Sequence, residues 1–144
     1  MPYCMDKDMH SLAVETTAAD FTDAPITDAE GAAMFRAALN LFRLWGLSDE
    51  QAAALLDLPI RTFARWKAGE PGRLGRDGKA RLSNLMGIHK ALRLIFAEPQ
   101  RGYDWIKAPN TAFGGQTALA VMLGGELTDL MRVRRYLDAE RGGW

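Results

Sequence analysis

Cysteine is nearly missing from this sequence. Cys4 stands alone, so no intrachain disulfide can form, and a reducing cytoplasm is the expected compartment. Histidine is almost as scarce. His10 and His89 are the only two, and with one cysteine they make no zinc-binding spacing. No metal or other cofactor is expected. No apolar run reaches the length of a membrane span, so no membrane association is expected. The start of the chain carries Asp6, Asp8, Glu15 and Asp20 in place of a basic stretch and an apolar one, which argues against a secretory signal. Alternating apolar and polar residues bounded by hairpin turns are absent, so strands are not expected. Also missing are a phosphate-binding loop of the Gly-x-x-x-x-Gly-Lys type and a Gly-x-Ser-x-Gly nucleophile turn. Cys4 lies in a presumed tail, where an activated thiolate is not expected, and His89 falls on an apolar helix stripe, where packing explains it better than general-base work. Catalysis is therefore not expected.

What remains is an ordinary globular mixture: 144 residues, 48% hydrophobic and 25% charged. Lysine plus arginine equal aspartate plus glutamate, 18 each, but the charges are segregated. Residues 1–59 hold 3 basic and 10 acidic side chains, residues 60–93 hold 9 and 2, and residues 94–144 hold 6 and 6. A basic middle third is the footprint expected of a polyanion-binding surface, although a merely solvated face has the same composition.

Residues 1–26 lack periodicity and read as a tail. Thr27-Asp28-Ala29-Glu30 is a capping box, followed by Ala33, Met34, Ala37, Ala38, Leu41, Leu44 and Trp45 at helical spacing. Gly46 supplies the stop. Ser48-Asp49-Glu50-Gln51 is a second capping box and opens a helix with Ala52, Ala53, Leu55 and Leu56 on its apolar side. Pro59 opens a third, about Ile60 to Lys67. Residues 69–78 form a loop with four glycines and a proline. A long helix, about Lys79 to Phe96, carries the stripe Leu82, Leu85, Met86, His89, Leu92, Ile95 and Phe96, either as core or as a dimer interface. Beyond Pro99 come a short helix with Tyr103 and Trp105, a loop over 107–115, a helix capped by Thr117, and a last helix from about Glu126 to Arg141 with Leu127, Leu130, Val133 and Leu137 on one face. The expected fold class is all-α.

Residues 49–67 fit a helix-turn-helix. Ala53 is small enough for the helix crossing, Leu58 plugs the turn, and Phe63 and Trp66 anchor the second helix. Arg61, Thr62, Ala64, Arg65 and Lys67 then face outward, where a helix in the major groove presents arginine to guanine edges. Arg73, Arg76, Lys79 and Arg81 are candidates for phosphate contacts, or simply for loop solubility. Asp57 stands where such turns favour glycine, and aspartate tolerates the left-handed conformation better than most residues. An ordinary αα-hairpin fits the same pattern.

Further along, Arg81-Leu82-Ser83-Asn84-Leu85, Trp105-Ile106, Pro109-Asn110, Phe113-Gly114-Gly115-Gln116-Thr117-Ala118-Leu119 and Asp129 to Leu137 follow in order. With the segment Arg61 to Lys67, these resemble the ParS–MbcA–Xre antitoxin family, and in particular the Xre-like antitoxin of RES–Xre toxin–antitoxin pairs. The resemblance covers roughly residues 30–144. Many members have proline at the place of Ala118. The resemblance implies a helix-turn-helix domain over 27–96 that binds operator DNA and represses the operon. It implies a small helical domain over 97–144 that binds a RES-domain toxin, an enzyme that consumes NAD⁺. A homodimer within a larger complex is expected, because paired half-sites multiply affinity.

The candidate DNA contacts are Arg61, Thr62, Arg65, Lys67, Arg73 and Arg76. The candidate toxin contacts are Trp105, Asn110, Phe113, Gly114, Arg132, Arg135, Arg141, Gly143 and Trp144. Large aromatic anchors dominate interfaces, yet Trp105 and Phe113 equally suit the core of a small domain. The arginines of the last helix suit an acidic cleft, or simply the negative end of the helix dipole. Gly143 and Trp144 give an aromatic tip suited to an NAD pocket, or a frayed end. A pure protein inhibitor without DNA binding, and a transcription factor with a small-molecule sensor domain, are the alternatives.

Overall fold

The computed structural model describes residues 25–142. Seven α-helices occur in them: α1 (Asp28–Leu44), α2 (Asp49–Leu56), α3 (Ile60–Ala68), α4 (Arg76–Ile95), α5 (Pro99–Ile106), α6 (Ala118–Met122) and α7 (Leu127–Glu140). A single 3-10 turn, Thr111–Phe113, lies between α5 and α6. Among the described residues the one β-like feature is an isolated bridge between Pro109 and Thr117. The tail, Cys4, His10, Gly143 and Trp144 lie outside the described residues.

Both capping boxes form. Thr27 and Glu30 exchange side-chain-to-backbone bonds of 3.1 and 2.9 Å, and Ser48 and Gln51 exchange bonds of 3.1 and 3.0 Å. Each satisfies two amides that a helix start leaves without partners. Gly46 ends the first helix region at φ +70, where a side chain would be strained. Thr117 caps α6 through Ala120 N–H, so Ala118 is the first helical residue, the place where proline also fits.

The register of α1 differs from the expected one. Phe35, Ala38, Leu41, Phe42 and Trp45 are buried, while Ala33 and Ala37 are exposed and Leu44 is at the surface. The larger side chains decide which face turns inward, because burying a phenylalanine contributes about 2–3 kcal/mol and an alanine far less.

Helix α4 is the spine. It packs against α7, α1, α5 and α2. At its start Lys79 bonds Asp28 of α1 at 3.1 Å. In its middle Gly87 faces Arg134 of α7, and near its end Leu92 meets Gly102 of α5. Leu82, Leu85, Ile88, Ala91 and Leu92 are all buried within the chain, so this stripe is core and is not free to pair with a second copy. Met86, His89, Ile95 and Phe96 are half-buried at its edges.

Candidate functional site

The turn between α2 and α3 has the geometry of a helix-turn-helix. Asp57 takes the left-handed conformation, φ 54 and ψ 45, the one non-glycine residue with positive φ among those described. Leu58 N–H then returns to Ala53 O at 2.9 Å, closing the end of α2, and Ala53 is buried where the helices cross. Phe63 is buried against Phe35 and Phe42, with ring centroids at 6.1 and 6.4 Å, and Trp66 meets Phe35 edge-on at 5.7 Å. These anchors fix the rotation of α3. Arg61, Ala64, Arg65 and Lys67 are exposed and Thr62 is half-buried, so the expected outward face is the observed one.

The cations on this face are not equivalent. Lys67 is paired with Asp49 at 2.9 Å. Arg73 lies 3.9 Å from Asp28, whose carboxyl is held below its usual range mainly by the Lys79 ammonium. Arg61, Arg65 and Arg76 have no acidic partner within the described residues. Arg76 belongs to the first turn of α4 and not to the loop before it. Neither α3, which opens on Pro59, nor α4, which opens on Gly75, has a side-chain cap. Two of the expected phosphate contacts, both on α4, are otherwise engaged. Lys79 serves Asp28, and Arg81 is buried, bonding Asp77 at 2.7 Å and Leu55 O at 3.3 Å.

The other candidate face lies around α7. Trp105, Phe113 and Tyr136 form an aromatic cluster. Trp105 and Tyr136 stack at 6.0 Å with 12° between planes, and Phe113 meets Tyr136 edge-on at 5.3 Å. Phe113 is only 3% exposed, so it is a core residue, while Trp105 and Tyr136 are half-exposed. The Arg132 guanidinium lies over the Phe113 ring at 5.3 Å and covers it from solvent.

Asn110 organises the loop beneath. Its side chain accepts from Ala112 N–H, its carbonyl accepts from Phe113 and Gly115 N–H, and its own N–H donates to Gln116 O, all near 3 Å. Gly114 has φ +66, which explains glycine there without a partner. Arg141 is held by Asp138 at 3.4 Å, whereas Arg135 is exposed and without an acidic partner among the described residues. Tyr136 is absent from the residues singled out in the sequence. Its spacing of four from Arg132 puts the two on one face of α7, and the fold brings Phe113 to that face.

Two family models match the chain in succession. The first, described as an Antitoxin Xre-like helix-turn-helix domain, covers residues 24–87, and the second, an Antitoxin Xre/MbcA/ParS C-terminal toxin-binding domain, covers residues 91–143. The chain belongs to the Xre antitoxin family. Among its relatives is the uncharacterized protein y4oB of Sinorhizobium fredii (strain NBRC 101917 / NGR234), 44% identical over 123 residues, which span 85% of this chain and 92% of that protein.

The antitoxin thus carries a helix-turn-helix domain and a toxin-binding domain that share one spine. Both matches border on α4: the first ends inside it at residue 87 and the second begins inside it at residue 91. Among the described residues no group of three His, Cys, Asp or Glu is placed to hold a metal ion, and no helix is long and apolar enough to cross a membrane.

Proposed function

We propose that this antitoxin neutralises a RES-domain, NAD⁺-consuming toxin by covering its catalytic cleft, and that it represses its own operon through α2 and α3. The observation that carries the reading is the pairing, in one chain, of a complete helix-turn-helix with a second helical unit matched as toxin-binding. For the DNA side, the support is the exposed set Arg61, Arg65 and Arg76, which has no acidic partner among the described residues. Arginine in that setting suits guanine edges and phosphates, and uncapped helix starts suit phosphate oxygens. Lys67 and Arg73 are secondary contacts, because each must first give up an acidic neighbour. Two copies acting on half-sites one helical turn apart would supply the affinity that one recognition helix lacks.

For the toxin side, the support is Arg135 together with the Trp105–Tyr136 edge and the Arg132 guanidinium, a cationic and aromatic surface of the kind that anchors interfaces. Asn110, Gly114 and Phe113 shape the support under that surface, and Arg141 borders it. Gly143 and Trp144, also proposed as toxin contacts, lie outside the described residues. The hollow directly beside Trp105 and Tyr136 holds about 60 Å³, below the roughly 300–1,000 Å³ of ordinary ligand sites, while the adjoining one over Leu94, Ile95, Glu140 and Arg141 holds about 420 Å³.

Co-expression with the product of the neighbouring open reading frame, followed by purification through a tag on the antitoxin, tests the reading. A RES-domain protein should co-purify, and the pair should shift DNA from upstream of the operon in a salt-dependent way. Recovery of the antitoxin alone at every salt concentration would refute the toxin assignment, and unshifted DNA would leave a pure inhibitor.

A further inference from the structure

Arg81 is the one charged residue buried among those described, 4% exposed, and it belongs to neither proposed contact surface. Its Nε donates to Asp77 Oδ2 one turn earlier on α4 at 2.7 Å. Its Nη1 reaches across to the carbonyl of Leu55, at 3.3 Å, in a fully buried bond. That carbonyl is one of the last four of α2, which have no amide partner within their own helix. Asp57 and Leu58 N–H return to Ala53 and Ala54 instead, so they do not serve it. Two residues after Leu55 the chain swings through left-handed Asp57 into α3.

We infer that Arg81 is the positioning residue of the recognition helix. It ties the end of α2 to the spine immediately before the turn, and so fixes the angle at which α3 presents Arg61 and Arg65. A guanidinium has a planar fork of donors, and here one arm is held by Asp77 while another caps α2. Asp77 is 57% exposed on its side chain and remains hydrated without Arg81, so its role is to aim the arginine. Otherwise α3 is held by Phe63 and Trp66 against α1 and, at its far end from the turn, by the exposed Lys67–Asp49 pair, so Arg81 is the buried polar tie at the turn itself. Arg81 therefore acts on DNA recognition without touching DNA. This inference rests on the proposed DNA-binding reading of α2 and α3.

The test uses the full chain as Arg81→Met and Arg81→Lys, with two measurements. The first is affinity for a duplex from upstream of the operon and for an unrelated duplex of the same length, across a salt series. In Arg81→Met the ratio of the two affinities falls by about tenfold, while the salt slope for the unrelated duplex is unchanged, because Arg61, Arg65 and Arg76 remain. Arg81→Lys restores part of the ratio. The second measurement is amide exchange at Leu58, which becomes about tenfold faster in Arg81→Met and not at Leu130, a core site of α7.

A purely structural role lowers the melting temperature and leaves the affinity ratio intact, and that result overturns the inference. Unchanged exchange at Leu58 overturns it as well, whatever the DNA result. If the unsubstituted chain binds neither duplex, the DNA-binding reading itself fails and the inference falls with it, whereas a wild-type preference that survives Arg81→Met defeats the inference alone.

Discussion

The guanidinium of Arg134 occupies the space that a side chain at Gly87 would fill. A Cβ added to Gly87 would lie 2.5 Å from Arg134 Cζ. Here α7 crosses the spine, and Arg134 reaches Asn84 Oδ1 at 3.5 Å and Asp138 at 3.9 Å. Glycine in a helix interior costs about 1 kcal/mol relative to alanine, so its presence in α4 has to be explained by this contact. Gly87→Ala should gain that propensity term and lose the seating of Arg134, with little net change in stability. In an Arg134→Ala background the same substitution should stabilise by about 1 kcal/mol. Denaturant unfolding of the four proteins in the cycle measures the coupling, and strictly additive effects would show that the contact is incidental.

Asp57 is strained by its left-handed backbone, φ 54. Asp57→Gly should relieve the strain and raise stability by up to about 1 kcal/mol, whereas Asp57→Val should lower it by roughly 1–2 kcal/mol, because a β-branched residue tolerates that conformation least. Thermal unfolding followed by circular dichroism separates the two. Equal melting temperatures for glycine and valine would mean that the turn relaxes into another conformation.

Burial, and secondarily the nearby Arg93 charge, holds the His89 imidazole below its ordinary range, and its buried Nδ1 has no hydrogen-bond partner among the described residues. As pH falls below about 6.5 the unfolded chain takes up a proton that the folded chain refuses, so stability decreases with acidification. Asp28 and Glu30, held low by Lys79 and by Thr27 respectively, lose their contributions only at more acidic pH. Unfolding free energy measured from pH 7.5 to 5.5 should fall more steeply for the native chain than for His89→Gln. Parallel curves would assign the acid sensitivity to another group.

Phe113 and Arg135 should separate support from contact. Phe113→Ala removes a buried ring from the aromatic cluster and should cost about 3–5 kcal/mol, visible as a lower denaturation midpoint. Arg135→Glu, on an exposed residue without an acidic partner among those described, should leave the midpoint within about 0.5 kcal/mol of the native value and weaken partner binding instead. A large stability loss in Arg135→Glu would place that side chain in the fold's own support.

Much of this architecture was legible because it is local. Thr27-to-Glu30 and Ser48-to-Gln51 announce helix starts through bonds spanning three residues, and Leu58, Phe63 and Trp66 mark the turn by spacing alone. Side-chain size and contacts between distant parts of the chain decide the rest. Ala33 and Ala37 share a helical period with the true stripe, but Phe35 and Phe42 win the core by size, and periodicity does not weigh size. Arg81 looks like any loop-proximal cation until its acceptor, Leu55 O, is brought to it from 26 positions away. Arg73 and Lys67 look free until Asp28 and Asp49 arrive. The aromatic site was legible as Trp105 and Phe113, and Tyr136 escaped because it lies just off the apolar stripe of α7 and closes the cluster only in three dimensions.

The most direct measurement takes the purified product of the neighbouring open reading frame, proposed to be a RES-domain toxin, and titrates its NAD⁺ consumption with the intact antitoxin. Consumption should stop near equimolar addition, and about tenfold more Arg135→Glu protein should be needed for the same inhibition. Undiminished NAD⁺ consumption in the presence of excess native chain would contradict the account.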